Sequence, residues 1–466
     1  MKMIDAQLSQ RDRAEIERGA AEARKVILKG VDRAQIDRCL NPSPDTLPRE
    51  ENNTPSDLSP SRRAHQSTGI PGVATRRGGR AYRALRWLPN YVWQRLTRRP
   101  PSGEVHLIFV LADHFEPGIV PQDRSARPPY DEQERRLENW CREYPPLVDP
   151  WRDHEGRPFC HTYFYPAEQY DKGLMARLAD HCHAGWGEIE IHLHHGTQQP
   201  DTAENTARQL VEFRDTLASR HGCLSSLDNS GSPRYAFVHG NFALANSNQG
   251  RGCGVESEMQ VLADTGCYAD LTLPAAAFHA AQTGKINSLY ECALPLNRRA
   301  PQRRGRDLQR GRRPRVFPLI VQGPLVLDFA PSGGSRRIGI ENGALTAPNP
   351  PGLSRLRLWK QAGISVRGRP EWLFIKLHCH GMDPTQKAAV LGAPMRQFLR
   401  ELVAGAQERR EILHFVSARE MVNIILAACD GREGNPGEYR DYRLQRLRQP
   451  SSKPSGDGAP QVVLKG

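Results

Sequence analysis

The sequence predicts an α/β fold: an irregular (β/α)7-8 barrel with a disordered N-terminal segment and a loose C-terminal tail. Three observations carry that expectation. From residue 104 onward, short apolar runs alternate with helix-like stretches or long loops, the pattern of a mainly parallel sheet. No G-x-G-x-x-G follows a strand and no G-x-x-x-x-G-K-[ST] is present, so nucleotide-binding doubly wound sheets lose their usual support. Histidines gather where the apolar runs end, and in parallel α/β folds those ends form one face.

Taken in chain order, residues 1–80 are expected to be disordered, apart from a polar helix over 5–29. The stretch 40–80 is dominated by Pro, Ser, Asn, Thr and charges and cannot bury a core. Residues 81–103 form a basic aromatic segment in which Tyr82, Leu85, Trp87, Leu88, Tyr91, Val92, Trp93 and Leu96 are interleaved with arginines. It reads either as a helix or strap packing its aromatics inward, or as peripheral membrane contact through 81–99 on an anionic surface.

The barrel domain is expected over 104–430. Its strand candidates are VHLIFVLADHFEP, PFCHTYFYPAEQY, GEIEIHLHHG, YAFVHGN, CYADLTLPA, LIVQGPLVLDFA, EWLFIKLHCHG and ILHFVSARE. Helices are expected over 172–185, 201–222 and 418–428. Residues 431–466, rich in Gly, Pro, Arg and Ser with no apolar period, complete the chain as a flexible tail.

The net charge of +13 is concentrated in two runs. Residues 76–100 hold eight arginines and no acid, and 298–315 hold nine arginines and one aspartate, so the remainder is slightly acidic. A general electrostatic footprint for nucleic acid is therefore not expected, and 298–315 reads as a solvated loop between strands. The ten cysteines are scattered without C-x-x-C pairs and read as reduced thiols. The first thirty residues lack an apolar h-region and no apolar stretch reaches the ~18 residues of a membrane span. The expected location is cytoplasmic, with membrane association at the surface through 81–99 as the variant.

Chemistry is expected where the histidines cluster. Residues i and i+2 of a strand point to the same side, so His192 and His194 of GEIEIHLHHG can share one ion, and His195 can join only if the strand has turned. Neutral imidazoles suit Zn, Fe, Co or Ni, and an oxygen ligand from Asp113 or Glu116 would leave a position open for water. On EWLFIKLHCHG, Lys376, His378 and His380 share a side. A histidine there suits a general acid near working pH, with Lys376 beside a developing oxyanion. The alternative for Lys376 is an ion pair with a buried carboxylate such as Asp113 or Glu190. His161 and His239, Asn241 and Asn246, and Glu116 are candidates for substrate contacts at the rim.

VHLIFVLADHFEP, then HTYFYPAEQYD with a following helix, then GEIEIHLHHG and a late strand carrying Leu377 and His378 resemble the polysaccharide deacetylase (NodB-homology) group. That group belongs to the glycoside hydrolase/deacetylase barrel superfamily, and the resemblance covers about 104–425. It implies a divalent metal, usually zinc, on one Asp and two His, with a second Asp as base and a late His as acid. The activity implied is removal of an N- or O-acetyl group from a sugar. Carried onto this chain, it makes Asp113 the base, places the metal on His192 and on His194 or His195 with help from His114, and gives the acid role to His378 or His380. Where the family has Thr-Phe-Asp-Asp, this chain has Leu111, Ala112, Asp113 and His114, and the position four after His192 is Gly196.

The expected function is thus metal-dependent hydrolysis of a carbohydrate, most simply deacetylation of a polysaccharide or glycan precursor. Two alternatives stand beside it: a noncatalytic glycan-binding scaffold in a polysaccharide assembly complex, and a glycosidase of the same superfamily, which needs two carboxylates at the site.

Overall fold

A strand buried on both faces of a parallel sheet has no polar side to show, so it reads as an unbroken apolar run. The strand β1 (Val105–His114) is such a run, buried from Leu107 to its end. It belongs to a computed structural model that describes residues 86–98, 101, 103–123, 126–227, 231–277, 279–329 and 338–447. The expected helix at 5–29, the disorder of 1–80 and the tail beyond 447 lie outside the described residues.

The chain divides into two units, 1–97 and 98–466. In the first, α1 (Leu88–Thr97) is a helix that leaves Val92, Trp93 and Leu96 exposed, Trp93 by 65%. The second unit begins with β1. It continues with α2 (Tyr130–Val148), β2 (His161–Pro166), α3 (Lys172–His181), β3 (Gly187–Leu193), α4 (Ala203–His221), β4 (Ser225–Leu227), β5 (Pro233–His239) and α5 (Glu258–Asp264). Next come β6 (Cys267–Asp270), β7 (Leu289–Glu291), β8 (Arg306–Asp307), β9 (Leu319–Val321), β10 (Val326–Asp328), β11 (Gly339–Glu341) and α6 (Leu353–Gln361). The last elements are β12 (Trp372–Cys379), α7 (Ala393–Ala404), β13 (Glu411–Phe415), α8 (Ala418–Cys429) and β14 (Leu444–Arg446).

Among the described residues, twelve strands form one mostly parallel sheet whose main path is β12-β1-β2-β3-β5-β6-β9-β7-β8. Along β1, one edge is taken by β12 from His106 to Asp113. The other is shared by β13 over residues 105–109 and β2 over 111–114. The pairs from β12 to β9 are parallel, so their C-terminal ends lie along one rim, where open α/β sheets place ligands. His114, His192, His239 and His378 stand at or next to that rim.

The expected helices form, with local chemistry that explains their ends. Thr202 caps α4 by accepting the Asn205 amide at 3.2 Å, and Gly222 closes it in the left-handed region. Ser417 and Glu420 make a reciprocal capping box at the start of α8. The long helix α2 was not anticipated, because charges dominate its sequence and two prolines interrupt the end. Its buried stripe of Leu137, Trp140, Tyr144 and Leu147 holds it to the sheet. The run LIVQGPLVLDFA splits into β9 and β10 around Gly323 and Pro324.

Two segments differ from expectation. Residues 431–447, assigned by sequence to the flexible tail, are fastened to the domain: β14 pairs with β4, and the buried Arg440 guanidinium bonds Asp153 and Glu155 at 2.7 and 2.9 Å. Buried ion pairs and side-chain bonds to backbone do there what an apolar period does elsewhere. The arginine run 298–315 is partly tied down as well, with Arg299 on Glu256, Arg306 on Glu291 and Arg310 on Glu433. The nine cysteines among the described residues are free, and no helix there is long and apolar enough to cross a membrane.

Candidate metal centre

The alternation of β3 brings His192 and His194 to one side. The Nδ1 of His192 donates to the Val238 carbonyl of the adjacent β5 at 2.9 Å, which fixes the proton there and leaves the Nε2 lone pair facing Glu116 Oε1 at 3.5 Å. His194 is held the same way: Nδ1 donates to Glu168 Oε1 at 2.7 Å, and Nε2 lies 3.8 Å from the same Glu116 oxygen. A carbonyl or carboxylate on the remote nitrogen is how metal-binding histidines are oriented. Gly240 makes room for this ring, since a Cβ there would sit 2.3 Å from His194 Cδ2.

Glu116 is also the meeting point for a second pair. His114, Glu116 and His380 bring ligand atoms within 4.8 Å of one another, as do Glu116, His192 and His194. The His114 ring lies 4.8 Å from that of His192 and 4.7 Å from that of His380. Burial, then the neighbouring His380 and His192, push His114 well below the ordinary histidine range, so its imidazole is neutral. Burial alone would raise the Glu116 carboxyl, but the neighbouring His192 and His194 rings outweigh it and bring it down to about 2. The buried Nε2 of His192 and Nδ1 of His114 have no hydrogen-bond partner. Imidazoles gathered on an ionised carboxylate, with buried nitrogens left over, are a donor set that fits a divalent cation.

Asp113 is not part of this group, although sequence placed the base there. It is the neighbour of His114 on a strand and points to the opposite face, where it meets His161 Nδ1 at 3.0 Å and the Gly381 amide at 2.7 Å. His161 is therefore a partner of Asp113 behind the sheet, among Trp140, Tyr144 and Tyr163, and not a rim contact. Glu116, two residues after the end of β1, supplies the carboxylate instead.

His195 also lies elsewhere. Its Nδ1 is 3.0 Å from Asp201 Oδ2 and its Nε2 3.0 Å from Glu258 Oε1. Burial would lower its pKa, but Glu258, then Asp201, raise it to about 12, and both of its nitrogens are engaged by carboxylates. His239, whose Nδ1 accepts the Asn241 amide at 3.1 Å, completes this group with Cys253. With His195 between two carboxylates and His239 accepting from backbone, the group is hydrogen-bonded internally. Of the two histidines left open by sequence, His194 faces the centre. Asn241 donates to the His195 and Gly252 carbonyls, and Asn246 accepts the Gly250 amide; both bind loop backbone.

Lys376 and His378 lie on the inner side of β12, as their spacing implies. Lys376 makes no ion pair with Asp113 or Glu190; its ammonium donates to the Leu273 carbonyl at 3.2 Å, and burial pushes its pKa down to about 7, opposed by the charge of Asp270. Burial, then Lys376 and His380, hold His378 well below the ordinary range, so its ring is neutral and not the half-charged acid expected. Phe242 covers the group, stacked on His114 at 5.4 Å and edge-on to His378 at 6.2 Å, and its φ of 54° is a strained value for a side chain of that size. Beside His194 a cavity of about 250 Å³ is lined by Thr197, Gln198, Gln199, Asn205 and Gln209.

Glu168 and Phe242, just past the ends of β2 and β5, and Glu258 on α5 are not among the expected site residues. No protein-family model matches this chain, and no curated protein matches it.

Proposed function

We propose that the chain is a metal-dependent hydrolase acting on a carbohydrate, removing an acetyl group from a glycan, with its sheet forming an irregular (β/α) barrel. The observation that supports this most is the pair His192 and His194, each with Nδ1 tied to an acceptor and Nε2 turned to Glu116. Those three residues would hold a divalent ion, with zinc the natural occupant of such a nitrogen and carboxylate set. When bound, the ion supplies Lewis-acid polarisation of an acyl oxygen and lowers the pKa of water.

The chain's own groups do the rest. Phe242 limits water above the His114 ring. The carboxamides of Gln198, Gln199, Asn205 and Gln209 can both donate to and accept from sugar hydroxyls in the cavity beside His194. Lys376, poised near neutrality, is the proton source nearest to His378 on β12.

The test is metal content by elemental mass spectrometry on wild type and the His192→Ala/His194→Ala double variant, with acetate release from acetylated oligosaccharides. Near-stoichiometric metal and acetate release, both lost in the variant, are expected. A protein that takes up no metal after reconstitution overturns the hydrolase reading in favour of a glycan-binding scaffold.

Peripheral membrane contact through 81–99 is part of the same proposal, favoured by the exposure of Val92, Trp93 and Leu96 on α1. Flotation with anionic vesicles is expected for wild type and lost on Trp93→Glu.

A further inference from the structure

We infer that the centre holds two divalent cations bridged by Glu116, one on His192 and His194 and the other on His114 and His380. The inference rests on the reading above that Glu116, His192 and His194 bind an ion, and adds a second site to it.

Five side chains converge here, whereas a four-coordinate catalytic ion takes three protein ligands and keeps one position open. The five divide into two triads, each with its ligand atoms within 4.8 Å, and Glu116 is the member common to both. A carboxylate has two oxygens and about four lone-pair sites, so it can serve both triads, while each imidazole serves one. Each triad then has two nitrogens and one oxygen, the composition of an open catalytic site, and two-metal hydrolytic centres set their ions about 3.5–4 Å apart.

A second observation points the same way from the His114 side. His114 is buried, and its Nδ1 has no hydrogen-bond partner, as is true of His192 Nε2 in the first triad. One ion on His192 and His194 answers for the second of these nitrogens and leaves His114 unexplained. The remaining candidate groups lie apart from this centre and are already bonded internally. The His195 network has its nitrogens committed to Asp201 and Glu258, and the Asp113 group lies across the sheet. A consequence follows for roles: His380 becomes a ligand, and His378, which belongs to neither triad, is the histidine of β12 left to contact substrate.

The full-length protein, stripped with a chelator and reloaded with Zn²⁺, is analysed by native mass spectrometry and elemental analysis. Variants are His192→Ala/His194→Ala and His114→Ala/His380→Ala, each checked for folding by circular dichroism. Two ions per wild-type chain and one in each double variant are the expected result. One ion in wild type overturns the second site while keeping the first; none overturns both readings. A double variant that keeps two ions or loses both overturns the assignment to two triads. If a variant does not fold, titration of wild type with Co²⁺ decides. A visible-absorption endpoint at two equivalents, with loss of the Co²⁺ electron paramagnetic resonance signal as the second ion couples to the first, supports the bridge; an endpoint at one equivalent removes it.

Discussion

Asp113 and His161 are joined at 3.0 Å across two neighbouring strands, on the face of the sheet opposite to His114. The bond is sealed among Trp140, Tyr144 and Tyr163, and the second Asp113 oxygen accepts the Gly381 amide just after His380. Asp113 is thus a positioning residue that anchors the turn after β12. Asp113→Asn is expected to cost about 1–3 kcal/mol of stability, the range for a disturbed buried hydrogen bond, and to leave bound metal in place. Calorimetry and metal analysis on one sample check this; loss of metal with an unchanged melting temperature would return Asp113 to the site.

Gly240 and His194 make the opposite kind of contact, in which function depends on an atom that is missing. A Cβ at 240 would press on the imidazole at 2.3 Å, and the ring has backbone on one side and Glu168 on the other. Gly240→Ala is expected to weaken zinc binding about 10-fold or more, as disturbed ligand orientation does. Competition with a chromophoric chelator measures it, and unchanged affinity would separate His194 from the metal.

Glu168→Gln removes the charge that orients His194 but keeps the shape. The expected loss of zinc affinity is about 10–100-fold with little change in fold, the usual cost of losing a carboxylate partner behind a metal-binding histidine. The same chelator competition reads it. Full affinity would mean that the backbone contacts alone orient the ring.

His195 is predicted to behave as structure. Removing it takes away the imidazole that joins buried Glu258 to Asp201, a loss of about 3–5 kcal/mol. His195→Ala should lower the melting temperature strongly. In chains that remain folded, the metal content should equal that of wild type; zinc lost at an unchanged melting temperature would make His195 a ligand.

These contrasts show which parts of the site could be read from sequence. Period-2 alternation correctly sets His192 with His194 and Lys376 with His378, because the second pair lies within β12 and His194 directly follows the last residue of β3. It fails one residue further on. His195 follows the point where β3 ends, and the turn sends it to Asp201 and Glu258, the latter on a helix 63 positions away. The choice between Asp113 and Glu116 depends on β1 continuing through His114, which puts Asp113 behind the sheet; an apolar run does not reveal its own endpoint. The tail fared worst, because buried arginines such as Arg440 hold 431–447 where no apolar pattern announces packing.

The arginines of that region also set a pH dependence. Glu188 on β3 is buried and bonded by Arg419 of α8 at 2.8 Å and by Arg446 of β14 at 2.7 Å. Burial alone would raise its carboxyl, but Arg419, then Arg446, outweigh it and hold the group at about 2, below its ordinary 4.5. A carboxylate whose folded value is depressed binds more protons when unfolded, so folding stability rises with pH across that interval. The contribution is fully present above pH 4.5 and drains away as the pH falls from 4.5 toward 2, each pH unit removing about 1.4 kcal/mol. Melting temperatures measured from neutral pH down into this window should fall for wild type. Glu188→Gln should be less stable at neutral pH, because the buried Arg419 and the exposed Arg446 lose a countercharge, and its curve should be flatter in acid. Parallel curves for the two proteins would mean that acid sensitivity arises elsewhere and that the Glu188, Arg419 and Arg446 cluster is not what fastens β14 and α8 to the sheet.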